Sequence, residues 1–303
     1  MSIQYRHLSP ERPAAPASST ATGANLLGDF LRAHRARISP EDANIASYGM
    51  RRVPGLRREE LAQLAGVSTN YYIRLEQGEA THPSASVIAA LARALGLDAD
   101  ATAYLHHIAA GRDGAAGAEP GVEAAASEDE AGMSFTFESI IDRLPDTASV
   151  TMSPTNDVLS ATPLAHALFY AHLPETGPTP NNYRLLFTDP VTRAMFRYWE
   201  EEASLAVASL RFHAASHAAD PAVSALVGEL STRSEDFARL WAAHPVRRCT
   251  RGFKVLDHPR YGALDLEYQI LHSPDADGRR ILIQTAAPGS ETAEILQRVR
   301  ESL

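Results

Sequence analysis

The sequence predicts two folds in tandem: an all-α unit at residues 25–110 and an α+β unit at residues 133–303. Three observations carry this. The chain has 303 residues, more than one compact domain commonly holds. A stretch of small and acidic residues at 111–132 (GRDGAAGAEPGVEAAASEDEAG), without an aromatic, interrupts it and reads as a flexible linker. Before that stretch apolar residues recur at helical spacing; after it several segments alternate with period two.

Residues 1–24 are rich in Pro, Ala, Ser and Thr without periodicity and read as a disordered tail. Leu27, Phe30, Leu31 and His34 then share one helical face behind Asn25, a capping residue. A second helix is expected over residues 57–65, with Leu61, Leu64 and Ala65 as its apolar face, stopped at Gly66. Ser68 caps a third that runs to Gln77 and closes at Gly78. Ser84 opens a fourth (Val87, Ile88, Leu91, Leu95), and residues 99–109 make a fifth. Beyond the linker we expect a helix at 135–144 and a hairpin at 148–159 that turns at Ser153-Pro154-Thr155-Asn156. One long helix at 190–217 and shorter ones at 222–230 and 235–243 follow. Strands are expected at 246–256, 262–271 and 280–285, and a last helix from Glu291. Leu264, Leu266, Tyr268 and Ile270 alternate, as in an antiparallel sheet covered by helices on one side.

Composition excludes several classes. With 45% hydrophobic residues the chain is neither disordered throughout nor collagen-like. No apolar run reaches the ~20 residues a membrane helix needs, and no signal peptide stands near Met1. One cysteine, Cys249, excludes an internal disulfide framework and points to a reducing cytoplasm. The net charge of −9 argues against a uniformly basic coat. Locally the balance differs: from Phe30 to Arg74 eight arginines (32, 35, 37, 51, 52, 57, 58, 74) face four acids (41, 42, 59, 60), a surplus of +4.

That basic stretch contains the most informative segment, RREELAQLAGVSTNYYIRLEQG. Two short helices are joined by a glycine turn, with Ala62 small at the crossing, Val67 beneath the turn, and Tyr72 and Leu75 buried. Thr69, Asn70, Ile73 and Arg74 then face outward, where a recognition helix enters a major groove. Asn pairs with adenine, Arg with guanine, and a Thr methyl meets that of thymine.

The helical unit resembles the XRE-type, lambda-repressor-like DNA-binding domain, with an elongated connection (ISPEDANIASYGMRRVPGL) between its first two helices. Together with NNYRLLFTDPVTRAMFRYWEEEA, ELSTRSEDFARLW and HPRYGALDLEY, it is similar to the MmyB-like group of transcription regulators, whose C-terminal ligand-binding domain is PAS-like. The resemblance implies base reading by Thr69, Asn70 and Arg74. Phosphate contacts are expected from Arg51, Arg52, Arg57, Arg58, Ser68 and Tyr71. Arg57 and Arg58 replace the cap and glutamine that usually open the second helix. Arg35 and Glu76 occupy the positions of a buried structural ion pair. The resemblance further implies a small lipophilic effector, fatty-acid-like by class, with Phe196, Arg197, Trp199, Arg211, Phe212 and Trp241 as pocket candidates. Ser160-Ala161-Thr162 stands where the group shows a Trp-Asn pair, which is expected to reshape the pocket.

Weaker signals have bland readings. His213 and His217, His106-His107, and His166 with His172 lack the acidic partners of a metal site. Cys249, between Arg248 and Arg251, reads as a packed thiol. An enzyme in residues 133–303 would need GxSxG, HExxH or a glycine-rich phosphate loop, and none is present. The expected protein is a non-enzymatic, cofactor-free regulator of double-stranded DNA. It is expected to be homodimeric, since operators repeat in half-sites.

Overall fold

The computed structural model describes residues 3–4, 25–43, 45, 55–80, 82–110, 137–174, 176–216, 220–247, 250–272 and 278–303. The linker at 111–132 and most of the tail at 1–24 therefore lie outside the described residues. Ile3–Gln4 forms a short strand, β1, which the unpatterned composition of the tail does not announce.

The helical unit comprises α1 (Leu26–Arg37), α2 (Arg58–Leu64), α3 (Thr69–Gln77), α4 (Ala85–Ala94) and α5 (Ala99–Ala109). The capping residues act as their chemistry requires. Asn25 Oδ1 accepts the Gly28 N–H at 2.9 Å, and the Ser68 hydroxyl accepts the Tyr71 N–H at 3.2 Å. Arg57 offers no short polar acceptor at the start of α2; instead the Glu60 carboxylate accepts the Arg57 N–H at 2.6 Å. Gly66 and Gly78 stand at φ 67° and 76°, so each turn needs the left-handed backbone that glycine adopts without strain. Phe30, Leu31, Leu61, Tyr72, Leu75, Ile88 and Leu91 fill one core. Leu64, expected on the buried face, is 43% exposed because α2 ends there.

One carboxylate joins three of these helices. Glu76 is fully buried; its Oε1 accepts Arg35 Nε at 2.7 Å and the Tyr72 hydroxyl at 2.8 Å, and its Oε2 accepts Arg58 Nε at 2.6 Å. Its main-chain carbonyl accepts Asn25 Nδ2 at 2.8 Å. Arg35 also donates to the Leu56 carbonyl at 2.6 Å, tying in the chain before α2. Burial alone pushes the Glu76 carboxyl up, but the bonds from Arg35, Arg58 and Tyr72 outweigh it and hold it below the ordinary range.

The second unit runs α6 (Phe137–Ile141), β2 (Ala148–Met152), β3 (Val158–Ala161), α7 (Pro163–Phe169), α8 (Asn182–Thr188), α9 (Pro190–Met195), α10 (Trp199–Ser216), α11 (Pro221–Arg233), α12 (Glu235–Ala242), β4 (Arg251–His258), β5 (Gly262–His272), β6 (Arg280–Thr285) and α13 (Glu291–Glu301). The strands make one antiparallel sheet in the order β1-β3-β2-β6-β5-β4. In β5 Leu264, Leu266 and Tyr268 are buried while Asp265, Glu267 and Gln269 face out, the alternation of a sheet covered on one side. Leucines from that face pack against α7 and α13, whereas α8, α10, α11 and α12 hold a second, all-helical core around Phe187, Val207 and Phe237.

Two expectations need correction. The helix over 190–217 is broken: Phe196 bridges Leu256 and the Arg197 N–H donates to the Val255 carbonyl at 3.1 Å. Residues 196 and 197 thus pair with the edge of β4 in place of continuing a helix, a role that an aromatic such as Phe196 suits. The strand expected at 246–256 begins at Arg251, because Val246 is buried in the core of the helical unit. Helices α7 and α8 had not been expected; Thr162 and Asn181, whose side chains accept the N–H groups of Ala165 and Arg184, were the signal.

The two units share packing. The Phe212 ring of α10 lies 6.5 Å from that of Tyr104 in α5, and both Phe212 and Val246 join the helical unit's core. Nearby, burial and then Arg37 push His34 down to about 4, and burial with Arg211 and Arg37 pushes His244 down to about 4. A linker that leaves the units independent does not describe this arrangement.

Two predictions follow from these contacts. Glu76→Gln removes the charge that three donors share, so the helical unit should lose about 3–5 kcal/mol in urea unfolding. A cost below about 1 kcal/mol would mean the network is ornamental. For His34 and His244 the folded state favours the neutral ring. Their stabilisation is complete above pH 6.5 and declines as pH falls from there toward about 4. Hydrogen-exchange protection factors at α5 and α10 should fall across that window, and His34→Gln should flatten the response.

Candidate nucleic-acid interface and effector cavity

Helix α3 presents Asn70, Arg74 and Gln77 on one exposed stripe at i, i+4 and i+7. The Arg74 side chain is 58% exposed and stands only loosely opposite Glu79, at 3.8 Å. Thr69 is half-buried beside Asn70; Ile73, expected outward, is half-buried as well. Gln77 was not singled out from sequence, although its three-residue spacing from Arg74 marks the same face.

The basic residues divide into two groups. Arg57 is exposed, and Ser68 is exposed with its hydroxyl engaged by the Tyr71 N–H. Tyr71 is half-buried and packs partly against the core. Arg58 has a second role that the sequence did not announce: its Nε is committed to buried Glu76 and holds α2 onto α3, while its side chain stays 43% exposed. Arg35 is likewise committed to Glu76, and the basic surplus on the surface is smaller than the count along the chain. Arg51 and Arg52 lie outside the described residues.

In the second unit a cavity of about 130 Å³ opens between the sheet and its helices. Met152, Tyr268, Ile270 and Leu282 form the sheet wall. Opposite them stand Leu185, Leu186, Met195, Phe196, Leu205 and Ala206 from α8, the end of α9 and α10. Polar and charged groups converge on this apolar space: Asn156, Asn182, Glu202, Ser209, Lys254, Arg280 and Gln284. Lys254 Nζ pairs with Glu202 and lies 5.0 Å from the Tyr268 ring. An apolar cleft with few convergent polar groups is the general form of a small-molecule site.

Residues 134–299 match the family model described as the ligand-binding domain of MmyB-like transcription regulators, and residues 26–114 match a helix-turn-helix domain. The chain belongs to the MmyB-like transcription regulators. No curated protein matches it.

In this MmyB-like regulator the cavity is not where all the pocket candidates sit. Phe196 lines it; the other five do not. Trp199 packs against Phe187 at 5.9 Å, donates its indole N–H to the Leu186 carbonyl at 3.0 Å, and carries the Arg193 guanidinium on its face at 3.4 Å. Arg197 pairs with exposed Asp257. Arg211 is buried over Trp241 at 4.0 Å, and Trp241 stacks on Phe237. Phe212 points into the helical unit. Helical spacing could not separate these faces, because α10 is enclosed on several sides. Ser160 and Ala161 are buried within β3 and Thr162 caps α7, its hydroxyl donating to the Thr147 carbonyl at 2.8 Å; none of the three lines the cavity.

The remaining signals resolve simply. His213 lies 2.6 Å from an Arg280 nitrogen, a cationic neighbour unsuited to a metal ligand, and His217 and Cys249 lie outside the described residues. Among the described residues no cluster of three metal-ligating side chains occurs, and no helix is long and apolar enough to cross a membrane.

Arg58 and Arg57, adjacent in sequence, should separate in experiment. Arg58→Ala should lower the melting temperature of the regulator, since Glu76 loses a donor, whereas Arg57→Ala should leave it unchanged. Equal melting temperatures for the two variants would contradict the committed role of Arg58.

Proposed function

We propose that this DNA-binding regulator reads operator bases with Thr69, Asn70 and Arg74. Arg57, Arg58, Ser68 and Tyr71 supply phosphate contacts, with Arg51 and Arg52 from the preceding segment. The exposed Asn70–Arg74 stripe, backed by a buried ion network, carries this reading, because a recognition helix must be held rigidly while leaving its donors free. Operator half-sites call for a homodimer. The effector is small and lipophilic, of the fatty-acid class, and enters the cavity between the sheet and α10. Within a PAS-like domain that position couples the two units, since α10 forms a cavity wall with Leu205 and Ala206 and reaches Tyr104 of α5 through Phe212. The protein acts in the cytoplasm and performs no catalysis; its chemistry is recognition.

The test uses a selected operator and a scrambled duplex. Affinity for both should fall steeply with salt as phosphate contacts release counterions. Arg74→Ala should cost about 1–3 kcal/mol on the operator and relax preference at one base pair. Arg57→Ala should weaken both duplexes alike. If both variants lose affinity with preference unchanged, α3 does not read bases.

A further inference from the structure

Arg280 is a buried cation that faces the cavity without a buried anion. It opens β6, where residues 280, 282 and 284 share a face, and Leu282 and Gln284 line the cavity with it. Its side chain is 1% exposed. Every hydrogen-bond partner it has is neutral or cationic: His213 Nε2 at 2.6 Å, the Ser153 and Pro154 carbonyls at 3.3 and 3.2 Å, and Asn156 Oδ1 at 2.5 Å. Its Nε has no hydrogen-bond partner, and no carboxylate among the described residues pairs with it. A guanidinium taken out of water without an anion is costly, and one with a free Nε–H leaves open the edge that a carboxylate grips with two parallel bonds.

Arg211 is buried with an unpartnered Nε as well, so what sets Arg280 apart is that it faces the cavity. The plane of Arg211 lies on Trp241, and it does not line the cavity. Lys254 is neutralised by Glu202 and sits over the Phe196 and Tyr268 rings. One end of an otherwise apolar space thus carries a net positive charge held by a fixed fork.

We propose that Arg280 is the group that distinguishes an anionic effector from a neutral one, receiving a carboxylate on its Nε edge while the apolar walls take a compact hydrocarbon body. This rests on the reading of the cavity as the site of a fatty-acid-class effector and adds the residue that reads its carboxylate. Size limits the body: an engineered cavity of about 150 Å³ holds benzene, and the 130 Å³ here is similar.

Hexanoate, hexan-1-ol and hexylammonium are the probes, titrated by calorimetry into the full chain. The wild type should bind hexanoate about tenfold or more tighter than hexan-1-ol and should reject hexylammonium. Arg280→Met, unbranched and uncharged, should bring hexanoate down to the level of hexan-1-ol. Arg280→Lys keeps the charge without the fork and should retain only part of the preference; circular dichroism melts verify that each variant folds, and this second variant decides if the first does not. Equal binding of hexanoate and hexan-1-ol by the wild type overturns the anion assignment and leaves the cavity as an apolar effector site. A hexanoate preference undiminished in the variants overturns the role of Arg280. Binding of no probe overturns the effector reading, and this inference with it.

Discussion

The buried Glu76 carboxylate is the constraint on which the DNA-reading geometry depends. It lies at the end of the helix that presents Asn70 and Arg74, and its oxygens bind donors from α1, α2 and α3 at once. Apolar packing sets that these helices cluster, but it is non-directional and tolerates sliding. Three short, charge-assisted bonds to one carboxylate do not tolerate it. Removing any donor leaves a buried charge under-compensated, which makes the network a register device as much as a source of stability. Arg35 is largely buried by this role, whereas Arg58 keeps a partly exposed side chain.

A second organising element is α10. Its first half closes the cavity with Glu202, Leu205 and Ala206, and its second half places Arg211 and Phe212 against α5 and α12. Packed elements of this kind shift as units. On the proposed reading, a ligand that displaced the cavity wall would act through α10 on the packing against α5. Coupling of that kind must be reciprocal between effector and DNA.

Charge placement in the second unit follows a consistent logic. Exposed ions pair on the surface, as Arg197 does with Asp257 and Arg193 with Asp236, where each pair contributes little. Lys254 meets Glu202 as it becomes buried. Among the described residues Arg280 alone of the cavity-lining cations has no acid beside it, and leaving a buried charge uncompensated is costly.

By itself the sequence determined the helical unit nearly residue by residue. Asn25, Ser68 and Ser84 as caps, and Gly66 and Gly78 as left-handed stops, act within a few residues of themselves, so local chemistry suffices. The alternation in 262–271 was legible for the same reason. Only the tertiary structure decided what depends on partners distant in the chain. It broke the expected helix at 196–198 because β4 offered an edge there. It committed Arg58 Nε to Glu76, which lay within reach. It sent Trp199, Arg211, Phe212 and Trp241 away from the cavity, since a helix enclosed on several sides buries residues against different neighbours and its periodicity marks none of them as a pocket. Arg280, an unremarked basic residue at the start of a strand, acquired its place only when β6 was seated in mid-sheet with its pleat facing α10.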